Sequence, residues 1–142
     1  MSADKYAGWD PKTDPVVELR NAHVIHKSRT GKLFRPDTVH AVNDVSISVR
    51  RGETLGLVGE SGCGKSISSM AVMVLLPPSA RLSGEILFKG RNILEMTSTE
   101  HNALRGHEMS MVYQDALSSL NPSMLIRSQM KQLTRRGGTR SA

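Results

Sequence analysis

Gly59-Glu60-Ser61-Gly62-Cys63-Gly64-Lys65-Ser66 stands between two segments of different periodicity, and that junction limits the folds open to the chain. Ahead of it, Thr54 to Val58 is a short apolar run of the kind that fills a buried parallel strand. Behind it, Ile67, Met70, Ala71 and Val74 recur at i, i+3, i+4 and i+7, one face of a helix that Pro77 and Pro78 stop. Strand, glycine loop, helix is the order in which a chain closes around phosphates. The glycines let the backbone turn tightly and bring its N–H groups close to oxygens that side chains would keep away. Lys65 adds a mobile charge for the outer phosphates of a triphosphate. Ser66 offers a hydroxyl to Mg²⁺, and the helix start turns its positive end to the ligand. The plain alternative, a flexible glycine turn that holds a lysine, does not account for the flanking strand and helix.

With 142 residues, 38% hydrophobic and 23% charged, the chain has the length and balance of one soluble domain. Aromatic residues are only 4%, so the core must rest on aliphatic and methionine packing. The formal charge of +6 suggests a polyanionic partner until its position is considered. From Ala116 onward Arg127, Lys131, Arg135, Arg136 and Arg140 face no acidic residue, while the first 115 residues carry 14 basic and 13 acidic ones. The basicity belongs to the tail, which is read as solvated, and no nucleic-acid partner is expected. A single cysteine makes no internal disulfide, which fits a reducing compartment. Met1 to Pro15 is polar and lacks the apolar stretch of a secretory signal. The longest unbroken apolar run, Met70 to Leu76, is far short of the roughly 20 residues that span a bilayer. The chain is therefore not expected to cross a membrane by itself, although it can dock on a membrane protein.

Residues 1–15 are expected to be a disordered N-terminal segment. Val16 to Leu19 and Val24 to Ile25 predict either a strand pair or one interrupted strand, and a polar, basic insertion follows from Lys27 to Pro36. Val45, Ile47 and Val49 alternate with Ser46 and Ser48, the period of a half-buried strand. Glu85 to Phe88 predicts another strand between Gly84 and Gly90, and Met109 to Tyr113 a last one. Thr97 and Glu100 form a capping box that opens a short helix, which Gly106 can close.

This order of motifs resembles the nucleotide-binding subunit of an ABC transporter, in particular the branch that energises oligopeptide, dipeptide and nickel import. The resemblance runs from about Val16 to Gln132. Its phosphate loop has the form common there, Ser83-Gly84-Glu85-Ile86 with Phe88 and Gly90 resembles the segment after the loop's helix, and Gln114-Asp115-Ala116-Leu117-Ser118-Ser119-Leu120-Asn121-Pro122 resembles the family's Q-loop. The resemblance implies an α/β fold, a partial P-loop NTPase nucleotide-binding domain of ABC type with an antiparallel β subdomain, incomplete at its C-terminal side. Its extent would be residues 16–129, followed by a basic disordered tail at 130–142 that reads as a truncated or frame-shifted end.

By the same resemblance the cofactors are ATP and Mg²⁺. Gly59, Glu60, Ser61, Gly62, Cys63, Gly64, Lys65, Ser66 and Ile67 hold the phosphates, Ser66 and Gln114 attend the metal, and Gln114 and Lys65 serve catalysis, Gln114 by positioning the water. His26 corresponds to the adenine platform, with Phe34 as substitute. Ile67 stands where the family usually has threonine and keeps only its backbone N–H, and Ala116 replaces the usual proline of the Q-loop. The implied partners are membrane-spanning permease subunits and a second ATP-binding subunit, at the inner face of the cell membrane on the cytoplasmic side.

No L-S-G-G-Q signature, strand ending in Asp-Glu or later switch histidine follows Gln114. Leu82-Ser83-Gly84-Glu85 imitates the signature but precedes Gln114, and Met109 to Asp115 imitates a strand ending in an acid although Gln114 comes before that acid. The expected behaviour is Mg·ATP binding without turnover, because phosphoryl transfer needs a residue that orients water as well as a phosphate cradle. The alternatives are an interaction piece that associates with transporter subunits through the Q-loop surface, and a different P-loop enzyme such as a small kinase.

Overall fold

The computed structural model describes residues 6–28, 37–114 and 120–136. It comprises two compact units, Met1–Met96 and Thr97–Ala142.

The first unit is built on an antiparallel sheet of order β2-β1-β3-β4. β1 is Val17–Ser28, β2 Asp37–Val49, β3 Ala80–Phe88 and β4 Arg91–Asn92. The first apolar stretches thus form one interrupted strand, and the interruption has a definite cause. Leu19 is buried in one phase of the strand, whereas Ala22 and Val24 are buried in the other. A one-residue slip moves every following side chain to the opposite face, so an extra residue must be absorbed between them. Asn21 takes it up with φ of 45°, and the ladder to β2 shifts register there. Asp44 of β2 makes the matching adjustment at φ 51°. The Asn21 side-chain amide donates to Asp44 Oδ1 at 2.9 Å, and the Asn21 backbone N–H donates to Ser46 Oγ at 2.9 Å. Beyond this point Val45, Ile47 and Val49 are half-buried and Ser46 and Ser48 exposed, in agreement with their alternation.

Gly84 crosses the bulge from the other side with φ of 93°. A Cβ there would lie 2.7 Å from the Arg20 carbonyl oxygen and collide with that of Asn21. The strand from Ala80 therefore runs straight through the Leu82–Glu85 segment, and the glycine is explained by close backbone approach.

Lys89 and Gly90, at φ 47° and 75°, form the two-residue turn between β3 and β4, a primed geometry that matches strand twist. This turn orders residues that composition alone leaves loose. The Trp9 indole N–H donates to the Pro15 carbonyl at 2.9 Å, and the Tyr6 ring meets Phe88 edge to face at 6.0 Å between centroids. Lys89 Nζ lies 4.8 Å from the Tyr6 ring and 5.7 Å from the Trp9 ring. Residues 6–15 thus depart from the expected disordered segment, because their aromatic surface finds a partner some 80 positions away. Residues 1–5 lie outside the described residues.

α1 spans Lys65–Val72. Its buried residues are Ser68 and Ala71, while Ile67, Met70 and Val74 are half-buried, so the buried stripe is narrower than periodicity suggests. The helix stops five residues before Pro77. Val74 turns left-handed at φ 52°, its N–H donates to the Ala71 carbonyl at 3.0 Å, and the Leu75 N–H donates to Met70 at 2.9 Å. This is the paired closure that usually employs glycine.

Two expected strands do not form among the described residues. Thr54 to Val58 has no ladder partner, and Val58 is 98% exposed. Met109 to Tyr113 contributes one bridge, from Met109 to Arg105, and Val112 is 90% exposed. A parallel strand draws its hydrogen bonds from neighbours distant in sequence, and no described residue supplies them.

In the second unit α2 spans Ser98–Leu104 and is capped as expected. The Glu100 N–H donates to Thr97 Oγ1 at 3.3 Å, and the Thr97 N–H donates to Glu100 Oε2 at 2.8 Å. Gly106 follows at φ 84°, its N–H donating to the Met109 carbonyl at 2.8 Å. Thr97→Ala is expected to destabilise this unit by about 1 kcal/mol, measured by thermal unfolding. α3 spans Ile126–Arg136, so residues 130–136 are helical where an end without regular structure was expected. The helix is anchored by Gln129, whose side-chain amide donates to the Asn121 and Met124 carbonyls at 3.0 Å each and accepts from the Asn121 N–H at 3.1 Å. Residues 115–119, inside the Q-loop segment, and 137–142 lie outside the described residues, as does most of the Lys27 to Pro36 insertion, including Phe34.

Candidate functional site

The run that begins at Thr54, without regular secondary structure, enters the loop at Gly59. The Cys63 N–H donates to the Glu60 carbonyl at 3.3 Å and closes the first turn. Gly62 and Gly64 then take φ of 83° and 91°, a region that residues with a Cβ enter at a cost. Gly64 is the N-cap of α1, and it is buried against β2. A Cβ at Gly64 would run into the Ala41 carbonyl and lie 3.3 Å from Val42 Cγ2.

No side chain caps the start of α1, and its first turn holds no acidic residue. A helix start leaves backbone donors to be satisfied from outside the helix and carries about half a positive charge. With Gly59 to Cys63 exposed beside it, this end is open to an oxyanion, and the donor set suits phosphate oxygens. Lys65 Nζ donates to the Gly59 and Glu60 carbonyls at 2.7 Å each and lies 3.3 Å from Cys63 Sγ. Its ammonium group is thus held over the loop it belongs to. Ser66 is exposed on the first turn and Ile67 half-buried next to it.

A cleft of about 400 Å³ opens beside the loop. One wall is Gly62, Cys63, Gly64 and Lys65, and another is β2 from His40 to Asn43. His26 does not line it. That residue sits on β1, half-buried, paired with Val39 of β2 and Ala80 of β3. His40 was not singled out by sequence reasoning as part of this site. Its signal lies in strand pairing, since Gly64 packs on the carbonyl of the very next residue, Ala41. Gln114 is exposed and belongs to the second unit. His23 is engaged elsewhere, its Nδ1 accepting from the Asp44 N–H at 3.2 Å.

The sequence profile of the ABC transporter family matches residues 42–140. The dipeptide transport ATP-binding protein DppD of Bacillus subtilis (strain 168) is 40% identical over 119 residues, which cover 82% of the chain and 34% of that protein. The oligopeptide transport ATP-binding protein OppD of Escherichia coli (strain K12) is 47% identical over 122 residues, 86% of the chain and 34% of that protein. OppD of Bacillus subtilis (strain 168) is 41% identical over 120 residues, 83% of the chain and 32% of that protein. The chain spans about a third of the length of the curated relatives it matches.

Proposed function

The chain belongs to the ABC transporter family, and from that premise we propose that it binds Mg·ATP through Gly59–Ser66 as part of the ATP-binding subunit of a peptide importer. The observation that carries this reading is the uncapped start of α1, held open by Gly64 against β2 and overlooked by Lys65. The N–H groups of Gly62 to Ile67 would surround the phosphates, and Lys65 would exchange its two carbonyl partners for phosphate oxygens. Ser66 would hold Mg²⁺, which supplies charge neutralisation at the phosphates when bound. Gln114 is assigned to the metal and the attacking water by family resemblance.

The base platform is assigned to His26, with His40 as a second reading because it shares the cleft wall with the loop. Stacking on one side chain is worth roughly 1–3 kcal/mol in comparable sites. Peptides as the transported solute, permease subunits and a second ATP-binding subunit as partners, and a place at the inner face of the membrane belong to the same proposal. No helix among the described residues is long and apolar enough to cross a membrane.

Calorimetry of the 142-residue polypeptide with Mg·ATP is expected to detect binding, with phosphate release at background. His26→Ala should lower affinity for ATP and leave that for inorganic triphosphate unchanged. The same pattern in His40→Ala alone would move the platform to β2, and no heat with either ligand would overturn the loop assignment itself.

A further inference from the structure

His40 stands on β2 one residue before Ala41, whose carbonyl oxygen bears on Gly64 at the start of α1. Consecutive Cα atoms lie about 3.8 Å apart, so the imidazole is carried on backbone that adjoins the phosphate loop. It is exposed and lines the same cleft as Gly62, Cys63, Gly64 and Lys65. That cleft, about 400 Å³, is toward the small end of the roughly 300–1,000 Å³ of ligand pockets, so a group seated on one wall is near the other.

The charges around His40 have one sign. Lys65 is the charged side chain in the cleft lining, with the Cys63 thiol beside it, and beyond Lys65 α1 brings only the Ser68 hydroxyl. Glu60 is exposed on the loop and is not part of the lining. Across the sheet His40 pairs with Ile25 of β1, and Ile25 with Arg81 of β3. Lys27 of β1 pairs with Thr38, two positions along β2. Asp44 lies further along the strand in the other direction, its carboxylate accepting from the Asn21 amide and 3.9 Å from the His23 ring. Among the described residues no carboxylate lines the cleft, so the anion to pair with an imidazolium here is the ligand. We propose that His40, as the imidazolium, faces the phosphates of the bound nucleotide across this cleft, so that binding takes up a proton and is tighter at low pH. The inference rests on the phosphate-loop reading above and adds to it a proton-linked contact from the facing strand. Its sign follows from the charge. A bound polyanion favours the protonated ring, and that ring is present below the ordinary histidine range and lost above it.

Calorimetry of the 142-residue chain with Mg·ATP, and with inorganic triphosphate in magnesium, at about pH 5.5 and about pH 8 brackets that range. The terminal phosphate of the ligand titrates there too, so the readout is the ratio of parent to variant at each pH. His40→Gln should bind both ligands about fivefold more weakly than the parent at the lower pH and equally well at the higher. His40→Lys keeps a cation throughout, and should match the parent at the lower pH and exceed it about fivefold at the higher. His26→Gln should bind triphosphate as the parent does at both. Both His40 variants replace an exposed residue and are expected to melt as the parent does. If His40→Gln follows the parent at both pH values, or loses affinity for ATP alone, the inference is overturned, in the second case in favour of a base contact, and the phosphate loop stands in either. A pH response lost in His26→Gln instead would overturn it in favour of that residue. No heat with either ligand in any chain overturns the loop reading and this inference together.

Discussion

Lys65→Ala is expected to weaken Mg·ATP binding by roughly 10- to 100-fold while leaving thermal stability almost unchanged. The two effects separate because of where the ammonium group sits. In the protein it donates to two carbonyls of an exposed loop, Gly59 and Glu60, and water can replace it there at little cost. At a phosphate it makes charge-assisted hydrogen bonds, worth about 1.5–3 kcal/mol each. The carbonyl contacts given up on binding offset part of that gain, which keeps the expected loss within two orders of magnitude. Calorimetry and an unfolding curve on the same preparation test both halves. An affinity within threefold of the parent chain would remove Lys65 from the ligand.

Gly64→Ala should be far more damaging to the fold, by about 2–4 kcal/mol. Two costs add at this position. The φ of 91° is left-handed, and the new methyl has nowhere to go because the Ala41 carbonyl and Val42 are already there. Gly62 provides the internal comparison. Its φ is 83°, yet a Cβ there would meet nothing within 4 Å, so Gly62→Ala carries only the backbone cost of about 1–2 kcal/mol. Denaturant titration of the two variants isolates the contact between the loop and β2. Equal destabilisation would mean that Gly64 does not bear on the strand as the structure shows.

Much of the local structure was legible because its cause is local. Alternation over Val45 to Val49, the Thr97–Glu100 capping box and the junction of glycine loop and helix each depend on residues within a turn or two of one another. What was not legible depends on partners far away in sequence. Thr54 to Val58 has the composition of a parallel strand, but composition cannot say whether a ladder partner is present, and among the described residues none is. Tyr6 and Trp9 carry no periodic pattern, and their order comes from a turn at Lys89 and Gly90. The left-handed valine that ends α1 is likewise hidden, since its sequence signal would be glycine or asparagine.

The proposed phosphate loop is read from its glycines and lysine, and the structure adds the strand wall, at Ala41 and Val42, on which Gly64 leans. His40 entered only through that wall. Gln114 remains a family assignment, on a unit described separately from the loop.

The arrangement around Trp9 also decides what optical experiments on this protein will report. It is the sole tryptophan, with its indole N–H on the Pro15 carbonyl and its ring near the Lys89 ammonium. Intrinsic emission will therefore register the detachment of the N-terminal strap from the β3–β4 hairpin. An emission-monitored melt can precede loss of helix signal in circular dichroism whenever that strap lets go first.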